Sequence, residues 1–156
     1  MSVAFRRESD EEHLEPRFEL PIPPGPNLVT ARGLALIAER ADTVAQAVAA
    51  ATDPEQQKVL QRELRYWRAR QATAQLVPPP TGDEAAFGSR VIFRLNGEER
   101  QVDLVGDDEA DPATGHLAVS APLARALIGA GDGDLVPFGG KDDAIELLSV
   151  APIPER

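Results

Sequence analysis

Residues 30–77 read TARGLALIAERADTVAQAVAAATDPEQQKVLQRELRYWRARQATAQLV, and this stretch decides the N-terminal half of the fold. It is rich in Ala, Leu, Glu and Arg and is broken only by Gly33 near its start and Pro54 at its middle, which predicts two helices. In the first, Leu34, Ile37, Ala41, Val44, Val48 and Ala51 recur at alternating steps of three and four. Leu60, Leu64, Trp67, Gln71 and Ala74 do the same in the second. That spacing keeps one narrow apolar seam turned toward a partner helix. Two such helices joined by so short a turn fold back antiparallel, so residues 28–76 are expected to form a coiled-coil hairpin whose tip is Ala51–Gln56. Lys58, Arg62, Arg65, Arg68 and Arg70 fall mostly off the seam and predict a solvated basic face.

The flanks have a different character. Residues 1–27 mix charges with the proline cluster LPIPPGPN and offer too little apolar surface to offset the entropy of ordering, so a flexible tail is expected there. Residues 77–86, within PPPTGDEAAFG, read as a linker. Beyond them the period changes to two. Val91, Phe93 and Leu95 alternate with Ile92 and Arg94, Asn96-Gly97 offers a tight hairpin turn, and Val102 and Leu104 alternate on the return. A strand before Ser120, a short helix from Pro122 to Ile128 stopped by Gly129, a strand at 135–138 and a last strand in AIELLSVAPI complete a small domain over 87–151. The expected class is α+β: a helical hairpin followed by a small antiparallel sheet carrying one short helix.

Composition narrows the functions. The chain has 156 residues, a formal net charge of −10 and no cysteine, and His13 and His116 are its only imidazoles. Disulfide frameworks, thiolate metal sites and cysteine nucleophiles are excluded, and the net field is wrong for coating nucleic acid or an anionic membrane. No apolar run approaches the roughly 20 residues that span a bilayer, and the N-terminus lacks a signal-peptide core, so a cytoplasmic location is expected. Asp107, Asp108, Glu109 and Asp111 form an acidic loop, expected to be solvated.

The motifs FGSRVIF at 87–93, LVGDDEADP at 104–112 and SAPLARALIGAGDGDLVPF at 120–138 together resemble the C-terminal domain of the GreA/GreB transcription elongation factors. The hairpin in front is similar to that family's coiled coil. The resemblance, which covers about residues 28–150, implies an FKBP-like C-terminal domain that docks beside the secondary channel of bacterial RNA polymerase. The coiled coil would reach toward the active centre, and nucleic acid would be met only indirectly, through the elongation complex. It implies an accessory factor rather than an enzyme, a monomer with no cofactor of its own beyond a magnesium ion shared with the polymerase. The docking surface it points to is the corner of Ser120, Ala121, Pro122 and Arg125, where Ala121 departs from the family by separating the serine from the proline.

The family's cleavage-competent tip, Gly-Asp-x-x-Glu-Asn-Ala-x-Tyr, has no counterpart in this sequence. Asp53 and Glu55 stand at the tip in a D-x-E spacing that a magnesium ion accepts chemically. The same residues also begin a helix: Asp53 as N-cap, Pro54 at the first helical position, Gln56 at a capping-box position, Glu55 beside the positive helix end. Capping accounts for every residue of the stretch, and each arm, about 22 residues or about 33 Å, is short for the family. Transcript-cleavage stimulation is therefore not expected. Two alternatives share the C-terminal domain: a relative of the short-coil nucleoside diphosphate kinase regulators, and a peptidyl-prolyl isomerase. The latter needs an aromatic-lined pocket, for which Phe87, Phe93 and Phe138 are few.

Overall fold

The computed structural model describes residues 19–155, so most of the expected N-terminal tail lies outside the described residues. The chain divides into two compact units. One joins the segment ending at Gly25 to Ile37–Thr73; the other joins Pro26–Leu36 to the chain from Ala74 onward.

The helical unit is built from helix α1 (Ala31–Ala50) and helix α2 (Pro54–Thr73). Gln57 Nε2 donates to the Val48 carbonyl at 3.4 Å, and the Arg40 guanidinium lies 5.5 Å from the centre of the Trp67 ring. Ala38, Ala41 and Asp42 share a groove with Arg68 and Gln71. Residue numbers rise along α1 as they fall along α2, so the pair is antiparallel, as the heptad spacing requires. Ile37, Ala41 and Leu64 are buried on the seam. Near the end of α2, Arg70 is only 2% exposed, while Gln71 is exposed at the groove it shares with Ala38 and Ala41. Trp67 is half-buried under Arg40, with Tyr66 edge-on at 5.0 Å. Glu19 pairs with Arg65 through two hydrogen bonds of 2.9 and 2.6 Å, which holds its carboxyl below the usual range.

In the second unit, strand β1 (Leu28–Val29) pairs in parallel with strand β2 (Gln75–Leu76), in the register Leu28 to Gln75 and Val29 to Leu76. The expected tail thus ends before Asn27, which is buried and whose carbonyl accepts from the Gln75 N–H at 2.8 Å. The remaining strands are β3 (Ser89–Leu95), β4 (Glu98–Val105), β5 (His116–Ala118), β6 (Leu135–Phe138) and β7 (Lys141–Pro152), in the order β5-β4-β3-β7-β6. Helix α3 (Pro122–Leu127) packs on one face. Asn96 and Gly97 have φ of 53° and 82°, the left-handed pair of a two-residue hairpin, which explains Asn-Gly at that position. In β3, Ser89, Val91, Phe93 and Leu95 are buried and alternate with Arg90, Ile92 and Arg94. The buried set meets Leu104, Ala124, Leu127, Ile145 and Leu147 in one core.

Two expectations are corrected. The sheet is mixed, not wholly antiparallel: β4 and β5 run parallel, Asp103 opposite His116 and Val105 opposite Ala118. Alternation reports burial, not direction, and the loop between these strands carries the chain back through a 3-10 turn (Pro112–Thr114) to Gly115, at φ 82°. The stretch expected as a linker is also partly folded. Ala85 is 2% exposed and exchanges backbone hydrogen bonds with the 129–130 turn, donating to Ala130 and accepting from Gly129.

Candidate functional site

At the hairpin tip, the Gln56 N–H donates to Asp53 Oδ2 at 3.2 Å, and the Gln57 N–H donates to the Asp53 carbonyl at 2.9 Å. Asp53 therefore spends one carboxylate oxygen on the otherwise unpaired Gln56 amide of α2, and Pro54 occupies the first helical position, where its missing N–H costs nothing. Glu55 is exposed and lies 3.8 Å from Lys58, one turn on. Asp53 and Glu55 are neighbours in sequence with separate partners. Among the described residues no group of three or more His, Asp or Glu side chains is arranged to hold a metal ion. The cap sets an ordering: Asp53→Asn is expected to leave the melting temperature nearly unchanged, because Asn caps about as well, whereas Asp53→Ala costs about 1 kcal/mol. Equal melting temperatures for the two variants would show that the carboxylate does not act as a cap.

The four corner residues are brought together on one turn. The Ala121 N–H donates to the Ala118 carbonyl at 2.9 Å, closing the turn out of β5, and Pro122 starts α3. Ala121, as N-cap, makes no side-chain cap bond, since it has no acceptor to offer. Ser120 instead donates from Oγ to Asp107 Oδ1 at 2.9 Å, tying the corner to the acidic loop. Ala124 and Leu127 are fully buried, so α3 is anchored by one face while Pro122 and Arg125 remain exposed on the other. The result is a fixed turn that presents a serine hydroxyl, a proline ring and a guanidinium to solvent.

Residues that the sequence reading passed over form a buried polar cluster on the same unit. Glu109, expected in a solvated loop, is 8% exposed. Its Oε1 accepts from Thr30 Oγ1 at 2.6 Å and its Oε2 from Arg32 at 3.0 Å. The Thr30 hydroxyl in turn accepts from the Gly33 N–H at 2.9 Å, which makes Thr30 the N-cap of α1. His116, read as a lone imidazole, is buried, with Nδ1 2.7 Å from Thr114 Oγ1 and Nε2 3.5 Å from Arg32. Behind it Arg90 grips Asp103 by two hydrogen bonds, at 2.8 and 3.1 Å, and that bonding holds the guanidinium even more firmly protonated than usual. Thr30 ahead of a helix is a sequence signal for a cap. The acid it meets lies 79 residues away, and no local pattern marks it.

Comparison with known proteins places this unit. Residues 79–151 match the family described as transcription elongation factor, GreA/GreB, C-terminal. Among curated proteins, the transcription elongation factor GreA of Thioalkalivibrio sulfidiphilus is 37% identical over 97 residues, covering 56% of this chain and 61% of that one. GreA of Nitratidesulfovibrio vulgaris is 37% identical over 84 residues, 51% of this chain and 52% of its own. The chain thus spans between about half and three-fifths of the length of these curated relatives. Solved structures similar to it include Gfh1 of Thermus thermophilus, at 14% identity and a TM-score of 0.38 over 81% of this chain and 99% of that one. Another is the elongation factor GreA/GreB of Nitrosomonas europaea, at 19% identity and 0.38 over 82% and 99%. The family match includes the corner and the acidic loop, and over those residues the chain is similar to the C-terminal domain of the GreA/GreB transcription elongation factors.

Proposed function

We propose that this protein is an accessory regulator of transcription elongation that binds bacterial RNA polymerase at its secondary channel through the corner Ser120–Arg125. The observation that carries the reading is the family match over 79–151, which includes all four corner residues. The fixed turn supports it: an exposed, rigid surface costs little conformational entropy on binding. The sheet unit is assigned to the FKBP-like class, and the protein acts in the cytoplasm, as a monomer, on an elongation complex whose catalytic magnesium belongs to the polymerase.

In this reading the tip does not stimulate transcript cleavage. Asp53 is engaged as a cap, and the family's tip motif is absent from the sequence. At 20 residues each, the helices reach about 30 Å. The same features suit a regulator resembling the nucleoside diphosphate kinase regulators, which would bind polymerase without cleavage.

The test is pull-down of polymerase, followed by cleavage on a stalled complex. Native protein is expected to bind and to leave RNA cleavage at the polymerase's own rate. Ser120→Arg combined with Pro122→Gly is expected to abolish binding with the melting temperature retained, because it recharges and loosens the corner while leaving Ala124 and Leu127 buried. Binding that survives this change and vanishes on reversing Arg62, Arg65 and Arg68 would move the interface to the helical arm. Strong cleavage stimulation, lost in Asp53→Asn, would make the tip catalytic.

A further inference from the structure

We propose that the basic face of α2 formed by Lys58, Arg62 and Arg65 is the docking surface of the chain's own acidic N-terminal segment, residues 8–19. The contact lies within the helical unit and stands whether or not the corner binds polymerase.

The two partners are complementary in charge. Steps of four and three place Lys58, Arg62 and Arg65 on one side of α2. The whole helix carries five cations against the acids Glu55 and Glu63, so it is locally positive by three inside a chain whose net charge is −10. Residues 8–19 read ESDEEHLEPRFE, six acids against the single cation Arg17, a local charge of −5. A positive face inside an acidic chain attracts whatever polyanion is nearest, and the nearest is tethered to it.

The last acid of the segment is already seated. Arg65 donates from Nε and Nη2 to the two carboxylate oxygens of Glu19, at 2.9 and 2.6 Å, the forked geometry in which a guanidinium grips a carboxylate best. The charge of Arg62 adds to that of Arg65 in holding the Glu19 carboxyl below the usual range, so Glu19 sits in the field of both. One exposed pair contributes little alone. With Glu19 bound, however, each acid upstream meets the helix at the effective concentration of a short tether. The reach suffices: Lys58 stands two turns from Arg65, about 10 Å along the axis, and the four residues from Glu19 back to Glu15 extend to about 13 Å. Lys58 is open to such a partner, since its pair with Glu55, at 3.8 Å, leaves both side chains largely exposed. Arg68 and Arg70 are left out of the surface, because Arg68 shares its groove with Glu39 and Asp42 of α1 and Arg70 is buried.

Paramagnetic relaxation on the full chain tests the dock. The sequence has no cysteine, so Ser9→Cys carries a single nitroxide. At low salt the label is expected to broaden the amides of Lys58, Arg62 and Arg65, and about 1 M salt, where the screening length is about 3 Å, is expected to remove most of that broadening. Arg62→Glu with Arg65→Glu is expected to abolish it at unchanged helix content, and changing Glu11, Glu12, Glu15 and Glu19 to Lys in that variant is expected to bring it back. Unbroadened α2 amides at low salt overturn the proposal, as does broadening that survives the double reversal. The salt series needs no substitution on α2, so if the reversal fails to fold, broadening that is unchanged at high salt overturns it. Mixing spin-labelled chain with isotope-labelled chain lacking the cysteine separates the occupants: broadening in the mixture would make a second copy the occupant and would overturn the proposal too.

Discussion

Phe93→Ala is expected to destabilise the sheet unit by about 3–5 kcal/mol and, on the function proposed above, to abolish polymerase binding along with it. Phe93 is fully buried at the middle of β3, the central strand, with β4 on one side and β7 on the other. Its ring meets the cluster formed by Leu104, Leu127, Ile145 and Leu147, none of which is exposed. Truncation removes the transfer free energy of the ring and leaves a cavity that strands hydrogen-bonded on both sides cannot collapse to fill. A domain of this size holds only about 5–15 kcal/mol in all, so the loss consumes a large share of it. The corner fails with the core, because α3 is held by Ala124 and Leu127 against the same cluster. Urea unfolding checks the first part and polymerase pull-down the second. A loss under about 1 kcal/mol would mean that the strands relax into the cavity and that Phe93 is not the centre of this core.

What the sequence showed clearly was what is local. Asn96-Gly97 announced its hairpin because only a pair of left-handed residues closes so tight a turn. Ile37, Ala41 and Leu64 announced the helical seam by spacing, and the buried set Val91, Phe93 and Leu95 announced β3 by alternation. The cap at Asp53 was legible for the same reason, since its acceptor and donor are three residues apart. Strand direction was not legible: His116 comes to lie beside Asp103 in parallel because of the path of a loop, which no periodicity encodes. The hidden part of the site was the acid in that loop. Glu109 reads like Asp107 and Asp108 beside it, and only the approach of Thr30 and Arg32, 79 and 77 residues away, turns it into a buried anchor. Ser120 likewise shows its hydroxyl in sequence but not its bond to Asp107.

Gly106→Ala carries the other large expected effect, and it acts on backbone rather than on a core side chain. Gly106 is buried at the end of β4, and the Leu28 carbonyl passes so close that a methyl group cannot be placed there without moving main chain. The obstacle is not the end of a flexible side chain, so the relief has to come from β1 or from the β4–β5 loop. Overpacking of this kind costs about 1–3 kcal/mol, at the upper end where the neighbour is rigid. If β1 yields, the damage runs along its ladder. The Gln75 N–H bonded to the Asn27 carbonyl and the Val77 N–H bonded to the Val29 carbonyl, at 2.8 and 2.9 Å, lose their acceptors together. Hydrogen exchange is therefore expected to accelerate at the Gln75 and Val77 amides, while Phe93 and Leu147 amides in the central strands keep their protection. If the loop yields instead, Glu109 moves with it, because its N–H is bonded to the Gly106 carbonyl, and the contacts to Thr30 and Arg32 are lost. Exchange at the Gly33 amide, which donates to the Thr30 hydroxyl, then rises while that at Gln75 does not. Native exchange at all three amides, with an unshifted melting temperature, would show that the chain absorbs the methyl elsewhere and that the close approach of β1 to Gly106 constrains neither segment.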